Sequence, residues 1–220
     1  MNDFFSATKN SLAVIGADPT VMLALLAVLM LILFSVRVKK IRWTFGMMTN
    51  IAILLAVAVV LNQLRLFHMP QGGSVTPGGM LPLMLIAWRY GINVGMFAGF
   101  LFGIISIMQD PFILHPVQVL FDYPLPFMAM GLAALSPKDN FYFGVIAAFF
   151  GRFVCHFLSG VIFFGAYAPE GTSVVMWSLT FNAIYIVGET IICLLLVRVL
   201  PVKRLLNAMD RRLSVQGDSV

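Results

Sequence analysis

Residues 141–167, from Phe141 to Tyr167, read FYFGVIAAFFGRFVCHFLSGVIFFGAY, a run that is apolar on every face apart from Arg152, His156 and one serine. A helix at a water boundary keeps its apolar residues to one stripe, whereas one that is apolar all round lies in a large core or in a bilayer. Composition decides between the two. Hydrophobic residues make up 60% of the 220 positions and charged residues 10%, against about a quarter charged in an ordinary soluble domain. The bilayer is therefore the solvent, and the chain reads as an all-α integral membrane protein.

Outward from that run, a span needs roughly 20 predominantly apolar residues. Helices are expected near 43–67, 80–89, 92–108, 116–136 and 173–200, with a further span at Val21–Val38. Turn signals separate them, among them Gln71-Gly-Gly-Ser, Tyr90-Gly91 and Ala168-Pro-Glu-Gly. The 80–89 element is too short to cross at 1.5 Å per residue and reads as a half-span or a tilted helix. Three regions follow: 1–42, a tail, an added transmembrane helix and a basic cytoplasmic loop; 43–200, the membrane domain; and 201–220, a basic cytoplasmic tail. No extramembrane enzyme domain fits beside them.

The first run is not a cleavable signal, because Lys9 stands against Asp3 and Asp18 before it while Arg37, Lys39, Lys40 and Arg42 follow it. Together with Arg89, Lys138, Arg198, Lys203, Arg204, Arg211 and Arg212 these cations fall on one side of the membrane, and only Lys9 and Arg65 on the other. That asymmetry makes the basic side cytoplasmic, with the N-terminus outside and the C-terminus inside. The net charge of +5 is thus an orientation signal and implies no nucleic-acid partner. Cys155 and Cys193 lie at different depths, so neither a disulfide nor a metal site is expected, and no cofactor. No phosphate-binding loop is present, so if the chain moves a solute actively, the energy must come from a partner or an ion gradient.

Five polar residues lie inside the spans: Asp122, Arg152, His156, Asn182 and Glu189. A charge at the centre of a membrane helix costs roughly 2.5–3.5 kcal/mol on insertion scales, and such residues face a cavity or each other. Counted from the outer helix ends, Asp122, His156 and Asn182 lie about 9, 16 and 14 Å deep, and Arg152 and Glu189 about 22 and 24 Å. Two layers result. Arg152 and Glu189 are expected to pair and fasten the last two helices, a transported proton or ion being the competing use. The outer three have no obvious mutual neutralisation and read as ligand groups. Above His156 stand Phe163 or Phe164 and Tyr167; Trp177 lies above Asn182, and Tyr123 adjoins Asp122. A carboxylate among aromatic faces suits an organic cation. Pro124 and Pro126 remove backbone donors and are expected to free the carbonyls of Leu120 and Asp122, and interrupted helices near a polar cavity are where membrane carriers hold ligands.

Several segments resemble one family, the thiamine-binding S components of energy-coupling-factor (ECF) vitamin transporters. They are Met69-Pro-Gln-Gly-Gly-Ser-Val, His115-Pro-Val-Gln with Asp122-Tyr-Pro-Leu, Gly151-Arg-Phe with His156-Phe-Leu-Ser-Gly, and Tyr167-Ala-Pro-Glu-Gly, in the family's order over about residues 43–200. The resemblance implies a six-helix S-component bundle, to which the span at Val21–Val38 is an addition. It implies capture of thiamine from outside a bacterial cell membrane and transfer through a T component with two ATPase subunits. Its substrate-binding positions fall on Asp122, Tyr123, His156, Gly160, Phe164, Trp177 and Asn182, and its T-component contact on Ala52 and Ala56. Some members carry tryptophan at Phe164, tyrosine at Trp177 and an aromatic lid in the first outer loop, whereas residues 70–79 here hold no aromatic. Asp122 would meet the positive charge or the amino group, Tyr123, Phe164 and Trp177 the rings, and His156 and Asn182 the polar edges. The competing readings are an S component for hydroxymethylpyrimidine or riboflavin, an intramembrane enzyme using Asp122 and His156, and an assembly protein with an incidental pocket.

Overall fold

A computed structural model describes residues 18–137 and 140–217 of the chain. Lys9 and Lys138, both used to orient the chain, and the tail before Asp18 lie outside the described residues. Helix α1 runs Pro19–Val38 and begins where the Asp18 carboxylate accepts from Thr20 N at 2.8 Å, satisfying one of the donors left open at a helix start. Helix α2, Phe45–Gln63, is capped the same way by the Thr44 hydroxyl. It ends four residues before the expected limit of 67. Strands β1 (Phe67–His68) and β2 (Ser74–Val75) take up the chain instead, paired antiparallel with Phe67 opposite Val75. Gly72 and Gly73, at φ 89° and 87°, form the tip between them, a conformation that side chains disfavour.

Helix α3, Leu81–Tyr90, is the short element. Every residue from Leu81 to Ala87 is buried, so it forms the centre of the bundle, hydrophobic all round. Helix α4 runs Ile92–Gln109. The 116–136 region is not one helix but three pieces: α5 (Pro116–Asp122), α6 (Pro124–Met128) and a 3-10 segment, Ala129–Leu135. Tyr123, at φ −122° and ψ −81°, is the break. Helix α7, Phe141–Phe163, also stops short of the expected end, the remainder forming a 3-10 turn at Gly165–Tyr167. Helix α8 is Val174–Val199. Six segments among the described residues are long and apolar enough to cross a membrane, namely α1, α2, α4, the α5-to-Leu135 unit, α7 and α8. The expected six-helix bundle is thus five crossing segments around α3, with α1 added to it.

Glycines recur every four residues on α4, at Gly95, Gly99 and Gly103, and Gly91 precedes them at the same step; the spacing on the helix has a packing cause. A β-carbon at Gly95 would meet Ala87 and Gly131, one at Gly99 the Phe127 carbonyl, and one at Gly103 the backbone of Pro124. These glycines let the broken segment 123–131 lie directly on α4. Gly91 belongs elsewhere: it turns the chain between α3 and α4 at φ 87°, with open space around it.

The region expected as a basic tail is a helix, α9 (Val202–Gly217). Val202 and Met209 are buried and Leu206 packs on the core, one helical face, while Lys203, Arg204 and Asn207 are exposed. Asn50 ties it down by donating to Met209 O at 3.2 Å and to Tyr90 Oη at 2.7 Å.

Candidate ligand-binding site

The break at Tyr123 places the central carboxylate. His115 opens α5 with a capping box, its Nδ1 accepting from Val117 N at 3.1 Å. Seven residues later the prolines stop the helix, leaving Asp122 at its end. Asp122 Oδ1 lies 3.3 Å from His156 Nδ1 on α7, and Oδ2 accepts from Gln118 Nε2. Two of the outer polar groups are therefore each other's partners, contrary to the expectation that nothing at that level neutralises them. An ionised carboxylate can only accept, so Nδ1 carries the proton of the imidazole, and a neutral ring then offers Nε2 as an acceptor. That nitrogen is buried and makes no hydrogen bond.

Asn182 on α8 is occupied within the protein. Its Nδ2 donates to Ser178 O at 2.8 Å and its Oδ1 accepts from Tyr185 Oη at 2.8 Å. Gly160 faces it across the α7–α8 contact, where a β-carbon would strike Ser178 Oγ and approach Asn182 Nδ2 to 3.2 Å. Gly160 thus sets the helix spacing, and Asn182 fixes Tyr185.

Aromatic faces close the outer part. Phe112, from the loop before α5, stacks on Phe164 at 5.7 Å and 22°, with Tyr167 edge-on to Phe112 at 6.1 Å. Trp177 leans on Phe181 at 5.2 Å. Phe163 turns away to stack on His115, so of the two candidate positions Phe164 faces the cavity. Tyr123 also lines it, but its hydroxyl is committed to the loop, accepting from Phe112 N at 2.7 Å and donating to Asp110 O at 2.9 Å.

Arg152 Nη1 lies 2.6 Å from Glu189 Oε2, and Thr76 Oγ1 donates to Glu189 Oε1 at 2.5 Å while accepting from Gly79 N at 2.9 Å. The pair therefore holds the loop after β2 as well as α7 and α8. The expected separation into two layers does not describe Arg152. It sits one turn from His156 on the same helix face and lines the same cavity, whereas Glu189 does not.

One cavity gathers Asp122, Tyr123, Arg152, His156, Gly160, Phe164, Trp177 and Asn182. It lies beneath the Gln71–Ser74 tip, with the ion pair of Arg65 and Asp110, 3.0 Å, at its edge. Ala52 and Ala56 are elsewhere, exposed on the outer face of α2. Sequence reasoning missed Phe112, Gln118, Phe181 and Tyr185. Gln118 stood within the His115-Pro-Val-Gln motif, Phe112 in the loop just before it, and Tyr185 one turn from Asn182. Among the described residues no three His, Cys, Asp or Glu side chains are grouped to hold a metal ion.

The family model described as "Thiamine transporter protein (Thia_YuaJ)" matches residues 48–208. The chain belongs to this thiamine transporter family. It is 41% identical over 162 residues to the thiamine transporter ThiT of Bacillus subtilis (strain 168), covering 66% of this chain and 84% of that one. It is 30% identical over 141 residues to the ThiT of Lacticaseibacillus paracasei, covering 56% and 70%. A solved structure of ThiT from Listeria monocytogenes superposes with a TM-score of 0.63 at 25% identity, covering 76% of this chain and 96% of that one. Membership places the chain among multi-pass membrane transporters and not among enzymes, which removes the intramembrane-hydrolase reading. Helix α1 precedes the matched residues.

Proposed function

We propose that this chain is the substrate-capturing S component of an ECF-type importer, binding thiamine from the outside of the bacterial cell membrane in the cavity around Asp122. The observation that carries this reading is a carboxylate held by two neutral partners, Gln118 and His156, beneath stacked aromatic rings. Arg152, the cation sharing the cavity, is already paired with Glu189. Asp122 is left to attract a cation that also presents flat rings, which a thiazolium joined to an aminopyrimidine does. His156 Nε2, an acceptor without a partner, suits the exocyclic amino group, which must donate. A neutral pyrimidine or flavin would use the rings and leave the carboxylate charge unmatched.

The extracellular N-terminus and cytoplasmic C-terminus rest on the basic side, where Arg37, Lys39, Lys40, Arg42, Arg198, Lys203 and Arg204 are all exposed. For partners, a T component and two ATPases are inferred, the exposed Ala52 and Ala56 offering a small-residue face on α2 for close helix contact. Titration of the purified protein with thiamine tests the reading. Saturable quenching of Trp177 fluorescence, absent from Trp177→Phe, is the expected result, with affinity falling tenfold or more in Asp122→Asn, about the worth of one charge-assisted contact. Equal affinity in wild type and Asp122→Asn would remove the electrostatic basis, and saturation by another vitamin alone would reassign the substrate.

A further inference from the structure

Gln118 is completely buried in a membrane helix, and its amide is used to capacity. Nε2 donates to Asp122 Oδ2 at 2.5 Å and to Phe112 O at 3.0 Å, while Oε1 accepts from Leu114 N at 3.0 Å and from His115 N at 3.5 Å. Two donors and two acceptor sites are all an amide possesses. Gln118 and Asp122 are one turn apart on α5, so helix register brings them to the same face. One side chain thereby sets both the direction of the carboxylate and the path of the outer loop 110–115. Tyr123 grips the same loop from the other side through Phe112 N and Asp110 O, and the loop delivers Phe112 onto Phe164 at the cavity.

We propose that Gln118 is a positioning residue that couples recognition of ligand charge at Asp122 to the ordering of the outer loop 110–115; this rests on the thiamine-binding reading above. The chemistry of the side chain matters. A lysine or arginine here would hold Asp122 equally well and cancel its charge, whereas the neutral amide orients the carboxylate and leaves the charge for the ligand. A cation favours the oriented carboxylate, the oriented carboxylate favours the bound amide, and the amide holds the loop. Linkage makes the effect reciprocal, so an ordered loop raises cation affinity by the same factor by which the cation orders the loop. A ligand of the same shape without charge keeps its ring contact with Phe112 but lacks the carboxylate contribution, and shifts the loop less.

The comparison is between thiamine and 3-deazathiamine, in which carbon replaces the ring nitrogen and the ring is neutral, using the purified full-length chain. In Gln118→Met, thiamine affinity is expected to fall about tenfold or more while affinity for the neutral analogue changes by less than about threefold. Equal weakening of both ligands, or of neither, would overturn the proposal, since a side chain that merely held the fold together would not distinguish them. A measurement on the wild type guards against a variant that fails to fold. Amide hydrogen exchange in segment 110–115 is expected to slow more at saturating thiamine than at saturating 3-deazathiamine, and equal slowing would overturn the coupling. Failure of the wild type to bind thiamine at all is a separate result, which sinks the transport reading and the coupling with it.

Discussion

The Arg152–Glu189 pair shows how a single residue's cost depends on its neighbours. Both side chains are almost fully buried and 2.6 Å apart, with Thr76 on the second carboxylate oxygen. Removing one partner leaves an uncompensated charge in low dielectric, a loss of about 3–5 kcal/mol, whereas removing both charges leaves a neutral contact. Arg152→Met is therefore expected to lower unfolding stability in detergent by that amount, and Arg152→Met combined with Glu189→Gln by clearly less. A double variant as unstable as the sum of the singles would show that the two side chains act independently. Asp122 follows another logic, because its partners are neutral. Five polar positions were legible from their cost in an apolar span, and so was the pairing of Arg152 with Glu189; the partners of Asp122 and Asn182 were not. Depth counting assigned Arg152 and His156 to different layers because it ignores the 100° turn per residue that puts positions four apart on one face. Gln118 escaped notice because it stands in the first turn of α5, where an amide reads as a helix-end residue, and Tyr185 because a phenol raises no alarm in a membrane sequence until its contacts are seen.

At the scale of elements, the interrupted helix and the glycine stripe are one device. Helix α4 meets segment 123–131 backbone to backbone at Gly95, Gly99 and Gly103, and that segment begins where Asp122 ends α5. Gly99→Ala forces a methyl group into the Phe127 carbonyl and is expected to cost about 1–3 kcal/mol, as overpacking does, and to weaken thiamine binding by displacing the α5–α6 break. Gly91→Ala meets no atoms and strains only the backbone at φ 87°, at about 1–3 kcal/mol, with binding unchanged. Thermal unfolding and ligand titration of both variants separate the two roles; equal loss of affinity in both would deny the stripe its link to the site. The long spans were legible because length and apolarity alone define them. The hairpin at 67–75 was not, since Phe67 continues the apolar pattern of α2, His68 lies just past it, and only pairing with Ser74 and Val75 reveals a strand. The α5–α6 break was half legible: the prolines located it, but the 3-10 course of Ala129–Leu135 comes from packing against α4 and α7.

At the scale of the whole molecule, the added helix α1 is the part that membership of the family leaves unexplained. It lies next to α2 in sequence but packs on α4 and α5, placing Leu23, Ala27 and Phe34 in a cluster with Phe121, Leu125, Met128 and Cys155. Phe121 is the residue beside Asp122 and is 1% exposed. Helix α5, with seven residues, is too short to be stable on its own terms, since isolated helices below about 12 residues are marginal; its position depends on what flanks it. The contacts of α1 fall on the half of the molecule that carries the cavity, and Ala52 and Ala56 on α2 stay exposed. The expected consequence is a specific one. Ala27 is wholly buried, so Ala27→Phe wedges α1 away from α5, at about 1–3 kcal/mol of overpacking, and thiamine affinity falls several-fold while the proposed T-component contact through α2 is unchanged. Leu25→Ala, on the exposed face of α1, leaves both intact. If Ala27→Phe bound thiamine as tightly as the wild type, α1 would be a passenger on the bundle and the stability of α5 would have to come from α7 and the Gln118 network alone.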